Sequence, residues 1–430
     1  MEKIKIKPIF VSYEKGFFRE LPSLEELEKK VHEIYSKLKE LYPEVNFPAP
    51  ALITDVAGLS KLKSELTYDT DGVLVYRLGG ITHKLLADIG LIGPPLIMIG
   101  KGVLNHDIVA YLRQRGREAY AVLDEKDLSK LFHFLAVRKN VKSTRVLVVS
   151  SKSLPSFSAI SSAYDLDLMK IKLGIDYEWI SSEKLLSETE KVSDKEAREV
   201  LDDILSHAIK VEVSEENLLK AIKLYIALKK LLKETYCNAV AVDCAEPIYF
   251  EHKVTPCLAF TLLKDEGIPA SCEADLSALI AMIMLMHLSD KPAFMGNLWL
   301  HSAEDNIVRY SHDVPPTRIL SEERKPFELH DFHDKNYGAT VYVDVPKGSE
   351  ITLARVDSRF SKILVFKGTI EASHEGISCR ETLDIKVSDS VGLIEKVANY
   401  GHHFAAVLGD YTKELAKLAE MIKIKPEVYD

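Results

Sequence analysis

Thirteen consecutive residues, LSALIAMIMLMHL (Leu276–Leu288), carry a single ionisable group, His287. A segment apolar on every side has to be buried on every side. It is too short to cross a bilayer, which takes about 20 residues. The rest of the chain must therefore build a core around it. Directly ahead stands PASCEAD (Pro269–Asp275), with two carboxylates and a thiol at the mouth of the greasiest stretch. Asp275 reads as a helix N-cap, its carboxylate taking backbone N–H groups of the first turn. Glu273 is harder to explain that way, because the cap is already taken and its neighbours are small or apolar. A metal or acid–base site at the end of a buried strand is the alternative.

The chain has 430 residues, too many for one ordinary core, which predicts two or three domains. Its 47% apolar and 28% charged residues fit a globular protein and show no disorder signature. A net charge of −9 argues against general binding to nucleic acid or anionic membranes. Five cysteines, odd in number and without a CxxC spacing, speak against a disulfide framework or a cysteine zinc site. MEKIKIKPIF lacks the apolar core of a secretory signal. A soluble, cytoplasmic protein is expected.

Strand, glycine, helix, strand recurs through residues 1–145. DGVLVYRL (Asp71–Leu78) ends at Gly79-Gly80, helical ITHKLLADIG follows, and PPLIMIG (Pro94–Gly100) is the next strand before helical HDIVAYLRQRG. This is the grammar of a parallel sheet. A second α/β domain is expected over 146–315, with strands in TRVLVVSS and NAVAVDC, a helix in TPCLAFTLLKDEG and a short strand at Ile268–Cys272. After Pro315-Pro316, strands alternate with few helices (ATVYVDV, EITLARVDS, SKILVFKGTIEAS, ISCRETLDIKV). Residues 316–430 therefore read as a β-rich, barrel-like domain closed by the helix TKELAKLAEMI. The fold class expected is two parallel-sheet α/β domains followed by a β-barrel-like one.

Loops at the carboxyl ends of parallel strands surround the crevice where ligands bind, and Glu273 falls at such an end. His312 closes an alternating strand in IVRYSHDVPP, and His402 and His403 open an apolar one in ANYGHHFAAVLGD. Carboxylate and imidazole together make a hard ligand set suited to Mn²⁺, Mg²⁺ or Zn²⁺. Cys244 and Cys272 read as buried, inert thiols rather than nucleophiles. Gly79-Gly80 reads as a plain strand–helix turn. No metalloprotease, P-loop, nucleophile-elbow or dinucleotide-binding motif is present.

The runs PCLAFTLLKDEGIPASCEAD, PAFMGN, NIVRYSHDVPP and ANYGHHFAAVLGD resemble the L-fucose/L-arabinose isomerase superfamily, especially its short fucose-isomerase-like members. The order of elements agrees over nearly the whole chain. Asp243–His312 and Gly401–Gly409 carry the specificity, whereas the first 240 residues match only in general pattern. The resemblance implies a divalent-metal aldose–ketose isomerase working through an enediol, with Mn²⁺ or a related cation such as Mg²⁺ or Co²⁺. By the same resemblance Glu273 is metal ligand and acid–base group, and His312 and His403 are ligands. His402 is expected at the sugar, and a homo-oligomer (trimer or hexamer) is implied.

One position departs from the family pattern. The second family carboxylate lies in an F-x-D or F-M-E-D context, and here the stretch reads FMGN, with Gly296 and Asn297. Asn297 retains an amide oxygen for a metal but carries no proton. It is expected in the catalytic and metal set on those terms, with Glu304 and Asp305 as candidates for the missing carboxylate and Glu304 placed at the substrate. The alternative readings are a relative with lyase or epimerase chemistry, a sugar-binding pseudoenzyme, and a non-enzymatic scaffold.

Overall fold

The structure, a computed structural model, describes residues 3–13, 22–80, 82–151, 154–320, 323–376 and 379–429, with backbone only at Glu246 and Pro247. Ile81, which opens an expected helix, and Ile377 and Ser378, from an expected strand, lie outside the described residues. The chain divides into two compact units, Met1–Asn140 and Val141–Asp430.

The first unit is a parallel sheet of β1 (Ile6–Tyr13), β2 (Ala51–Ile53), β3 (Gly72–Gly80), β4 (Leu96–Ile99) and β5 (Ala119–Val122), in the order β2-β1-β3-β4-β5. Parallel strands need a crossover between each pair in sequence, and the helices Leu24–Leu41, Val56–Glu65, His83–Gly90 and Val103–Arg113 supply the four. Val73, Val75, Leu96 and Met98 from the strands meet Leu85, Leu86, Ile108 and Leu112 from the helices in one apolar cluster. Gly79 and Gly80 end β3 still paired to Ser12 and Tyr13, so they belong to the strand itself.

The second unit opens with a parallel sheet made of β6 (Arg145–Val149), β7 (Asp176–Ile180), β9 (Ala239–Val242) and β10 (Ala270–Ser271), in the order β10-β9-β6-β7. β8 (Ala208–Glu212) stands apart from it. The apolar run is the helix Leu276–Ser289, and every residue from Leu276 to Met286 is buried. Each buried Leu, Ile or Met contributes about 1.5–3 kcal/mol, so this helix anchors the unit. It packs on β15 (Glu350–Val356) and β18 (His403–Leu408).

Those two strands belong to an antiparallel barrel with β11 (Phe294–Ser302), β12 (Ile307–His312), β16 (Lys362–Glu375) and β17 (Glu381–Lys386). The order β15-β18-β11-β12-β17-β16 closes through β15–β16 pairing, and β19 (Lys425–Tyr429) adds in parallel to β16. The barrel therefore starts at Phe294, ahead of the prolines at which the sequence pattern changes. β13 (Phe327–His330) and β14 (Thr340–Tyr342) lie outside it and pair instead with β8. The closing helix is Thr412–Met421. No described helix is long and apolar enough to cross a membrane.

Candidate active site

Glu273 sits on a strained turn at the carboxyl end of β10. Cys272–Ala274 form a single 3-10 turn between strand and helix, with Glu273 at φ 56°, ψ 25° and Ala274 at φ 46°. Left-handed backbone in a residue other than glycine costs of order 1–3 kcal/mol and persists only where the surroundings enforce it. Asp275 then returns to extended backbone and caps the apolar helix, its Oδ1 accepting the Ala278 N–H at 3.0 Å. The expected cap is present, and the same carboxylate does more. Its Oδ2 accepts from Arg355 Nη1 at 2.8 Å and from His403 Nδ1 at 2.9 Å. Burial opposes ionisation of Asp275, but the Arg355 guanidinium and the His403 bond outweigh it and hold the carboxyl well below its ordinary range. Arg355 is fully buried and also donates to the carbonyls of Tyr400 and His403, at 2.7 and 2.8 Å.

Three adjacent barrel strands bring the other groups. Asn297 on β11 is in register with His403 on β18 and with Ser311 on β12, and His312 follows Ser311. The neighbouring Gly296 is required by packing: a Cβ there would lie 2.7 Å from Tyr310 Cζ. Tyr310 is fixed beneath it by bonds to the Phe294 and Phe404 carbonyls, both 2.9 Å.

Glu273 is where the two layers meet. His403 Nε2 lies 3.6 Å from Glu273 Oε2, and His312 Nε2 lies 3.9 Å from Glu273 Oε1. The two rings are 5.8 Å apart. Both Nε2 atoms are buried with no hydrogen-bond partner among the described residues, a condition that costs free energy unless a ligand fills it. Burial pushes the Glu273 carboxyl up, against the pull of His403 and a Ser158 hydrogen bond. Burial, with His403 next, pushes His312 well down, so it is neutral at pH 7.

The tautomers differ between the two rings. His403 gives its Nδ1 hydrogen to Asp275, which leaves a lone pair on Nε2 facing Glu273. His312 Nδ1 accepts the backbone N–H of Asp313 at 2.9 Å, so its hydrogen sits on Nε2. Binding a metal there means moving that hydrogen to Nδ1 and giving up one backbone bond, a cost of about 0.5–1.5 kcal/mol. The donor atoms of Glu273, His402 and His403 fall within 4.8 Å of one another. His402 packs its ring 4.0 Å from that of His403, and burial pushes its pKa down to about 4.

Glu273, Asn297 and His312 open onto one cavity of about 300 Å³. Its wall also holds Ser158, Tyr249 and Phe332, and an aromatic wall with a few converging polar groups is what small-molecule sites share. Asn297 Nδ2 donates to the Ser311 carbonyl at 3.3 Å. Glu304 is not brought to this cavity. It is exposed in the turn between β11 and β12, and Asn297 to Ser302 alone is roughly 16 Å of strand. Asp305 shares that turn, bonded to Ser302. A run of residues a few positions beyond a barrel-rim ligand goes to the opposite rim, which is why nearness in sequence misleads here. Cys272 is buried and its thiol is pushed well up by burial, as an inert thiol requires. Two features escaped the sequence. The link from Asp275 to Arg355 spans 80 residues, and the Asp313–His333 pair spans 20.

No protein-family model matches the chain. Among curated proteins, the sulfoquinovose isomerase of Priestia megaterium is 24% identical over 274 residues, 62% of this chain and 61% of that protein. The sulfoquinovose isomerase of Clostridium sp. (strain MSTE9) is 21% identical over 215 residues, 49% of this chain and 48% of its own. The chain thus spans 61% of the first relative's length and about half of the second's.

Proposed function

We propose that this chain is a divalent-metal aldose–ketose isomerase of the L-fucose/L-arabinose isomerase type, acting on a small sugar. The observation that carries the proposal is the convergence on one cavity-lining carboxylate of two buried histidine nitrogens that have no hydrogen-bond partner among the described residues. The isomerase names of the curated relatives support it at the level of reaction class. The donor set fits a hard or borderline cation such as Mn²⁺, with Glu273 and His403 as its principal holders and Asn297 and His312 completing the set. Asp275 orients His403 in the way that carboxylates back metal-bound imidazoles. Bound there, a divalent cation would supply Lewis-acid polarisation of the sugar oxygens and stabilise the charge that develops on them.

The residues of the chain supply the rest. Isomerisation moves a proton between C2 and C1 and another between O2 and O1. Glu273, buried and with its pKa raised, is placed to take the carbon-bound proton and return it to the adjacent carbon. The aromatic wall excludes water from the enediol while it lasts. Asn297 orients without moving a proton. That substitution also favours a second reading, a lyase or epimerase on the same scaffold, in which the enediol collapses differently.

The test is ketose formation from a panel of L-fucose, L-arabinose and sulfoquinovose, with Mn²⁺ and with a chelator. Mn²⁺-dependent ketose is expected, and Glu273→Gln should lower kcat by roughly 10²–10⁴. Metal-loaded protein that converts none of these aldoses to ketose counts against the isomerase and for the second reading.

A further inference from the structure

His333 stands on the wall of the same cavity as Glu273, and so does Asp313. His333 Nε2 donates to Asp313 Oδ2 at 2.8 Å. Asp313 is almost wholly buried, and its other oxygen accepts the backbone N–H of Arg380 at 2.9 Å. With Nε2 carrying the hydrogen, the lone pair of the ring is on Nδ1, the form of a general base. The ring lies flat on Phe332, centroids 3.8 Å apart, and stays 28% exposed.

The segment that presents His333 is tied down. His333, Asp334 and Asn336 all adopt left-handed backbone, at φ 54°, 55° and 60°. The Arg380 guanidinium holds Asp334 at 2.6 Å and Asp331 at 3.1 Å, while Phe332 N–H bonds the Tyr337 carbonyl. Arg380 therefore fixes both members of the pair, Asp313 through its main chain and the His333 turn through its side chain. A base, an orienting carboxylate and a rigid support are the parts of an acid–base device.

We infer that His333 is the proton carrier for the sugar oxygens and that Asp313 positions it, which supplies the duty Asn297 has lost. The inference rests on the isomerase reading. In the forward direction the C2–H bond breaks, its proton goes to Glu273, and its electron pair forms the C1–C2 double bond as O1 becomes an alkoxide. His333 Nδ1 takes the hydroxyl proton from O2 and delivers it to O1. Glu273 returns its proton to C1 as the O2 electrons form the new carbonyl. Both residues end as they began.

The test compares wild type, His333→Ala, His333→Gln and Asp313→Asn, loaded with Mn²⁺, on whichever aldose the wild type turns over. His333→Ala should lose roughly 10²–10⁴ in kcat with KM and Mn²⁺ affinity within about threefold, and added imidazole should restore at least about tenfold. His333→Gln keeps a donor for Asp313 and should be equally slow without rescue. Asp313→Asn should lose less than His333→Ala and gain nothing from imidazole. A His333→Ala enzyme within about threefold of wild type overturns the assignment and leaves the isomerase standing. Loss of an equivalent of bound Mn²⁺ in that variant overturns it in favour of a metal on Asp313, His333 and Cys379, whose donor atoms lie within 4.8 Å of one another. A wild type with no turnover of any aldose overturns both readings together.

Discussion

Asp275 receives hydrogen bonds from three groups that lie far apart in purpose: the first turn of the apolar helix, the Arg355 guanidinium and the His403 ring. One carboxylate thus starts a helix, neutralises a buried cation and sets a tautomer. Asp275→Asn keeps a cap oxygen but removes the anion. Breaking a buried pair typically costs 3–5 kcal/mol, because the remaining charge stays buried alone. Loss of the carboxylate behind a ligating imidazole costs about 10–100-fold in metal affinity. Urea unfolding and Mn²⁺ titration of Asp275→Asn should show both effects; a variant as stable as wild type would mean Arg355 finds another partner. At this scale the sequence was readable where chemistry is local. Glu273, Asn297, His312 and His403 stand in short motifs, and they converge. Asp275's bond to Arg355 and Asp313's to His333 are made by folding, and no spacing announces them. Glu304 was misplaced because residues adjacent in a hairpin sit at its far end.

Among the elements, the apolar helix follows directly from pattern, and so do the barrel strands β12, β15, β16, β17 and β18, whereas β11 carries no strand reading in the sequence. A run apolar on every face had to be covered on every face, and the parallel sheet and barrel do so between them. Alternation in ATVYVDV revealed the strand Thr340–Tyr342 but not its partner Phe327–His330, since a half-buried strand reads alike in a barrel and in a side sheet. β10 falls inside the short strand expected at Ile268–Cys272, but the turn after it breaks the usual backbone preference, so no propensity argument foresees that turn. β17 carries a consequence of its own. Glu381 is fully buried, accepts from Val343 N–H at 3.0 Å and Ser373 Oγ at 3.3 Å, and burial pushes its pKa to about 8. The folded state keeps a proton that the unfolded chain has already released above its ordinary value of 4.5. Stability therefore falls as pH rises from about 4.5 to about 8 and levels off above. Glu381→Gln should flatten that fall and be the more stable protein at pH 8, by an amount on the order of a few kcal/mol. Urea midpoints for both proteins at pH 5 and pH 8 read it out; parallel declines would assign the proton elsewhere.

The whole molecule divides into Met1–Asn140 and Val141–Asp430, and every residue of the candidate site lies in the second unit. A length of 430 residues predicts more than one domain, and the strand–helix grammar marks the first parallel sheet. The second sheet and the barrel share one compact unit because the apolar helix serves as core to both, a joint role invisible when strands are counted along the chain. The proposed metal centre draws on both layers of this unit, Glu273 from the sheet and His403 and His312 from the barrel. Mn²⁺ binding, followed by electron paramagnetic resonance on wild type, Glu273→Gln and His403→Asn, tests that directly. One Mn²⁺ per chain in the wild type, with affinity lower by about 10²-fold or more in each variant, is the result predicted. A wild type that binds no Mn²⁺, or variants that bind it as tightly, would contradict the account.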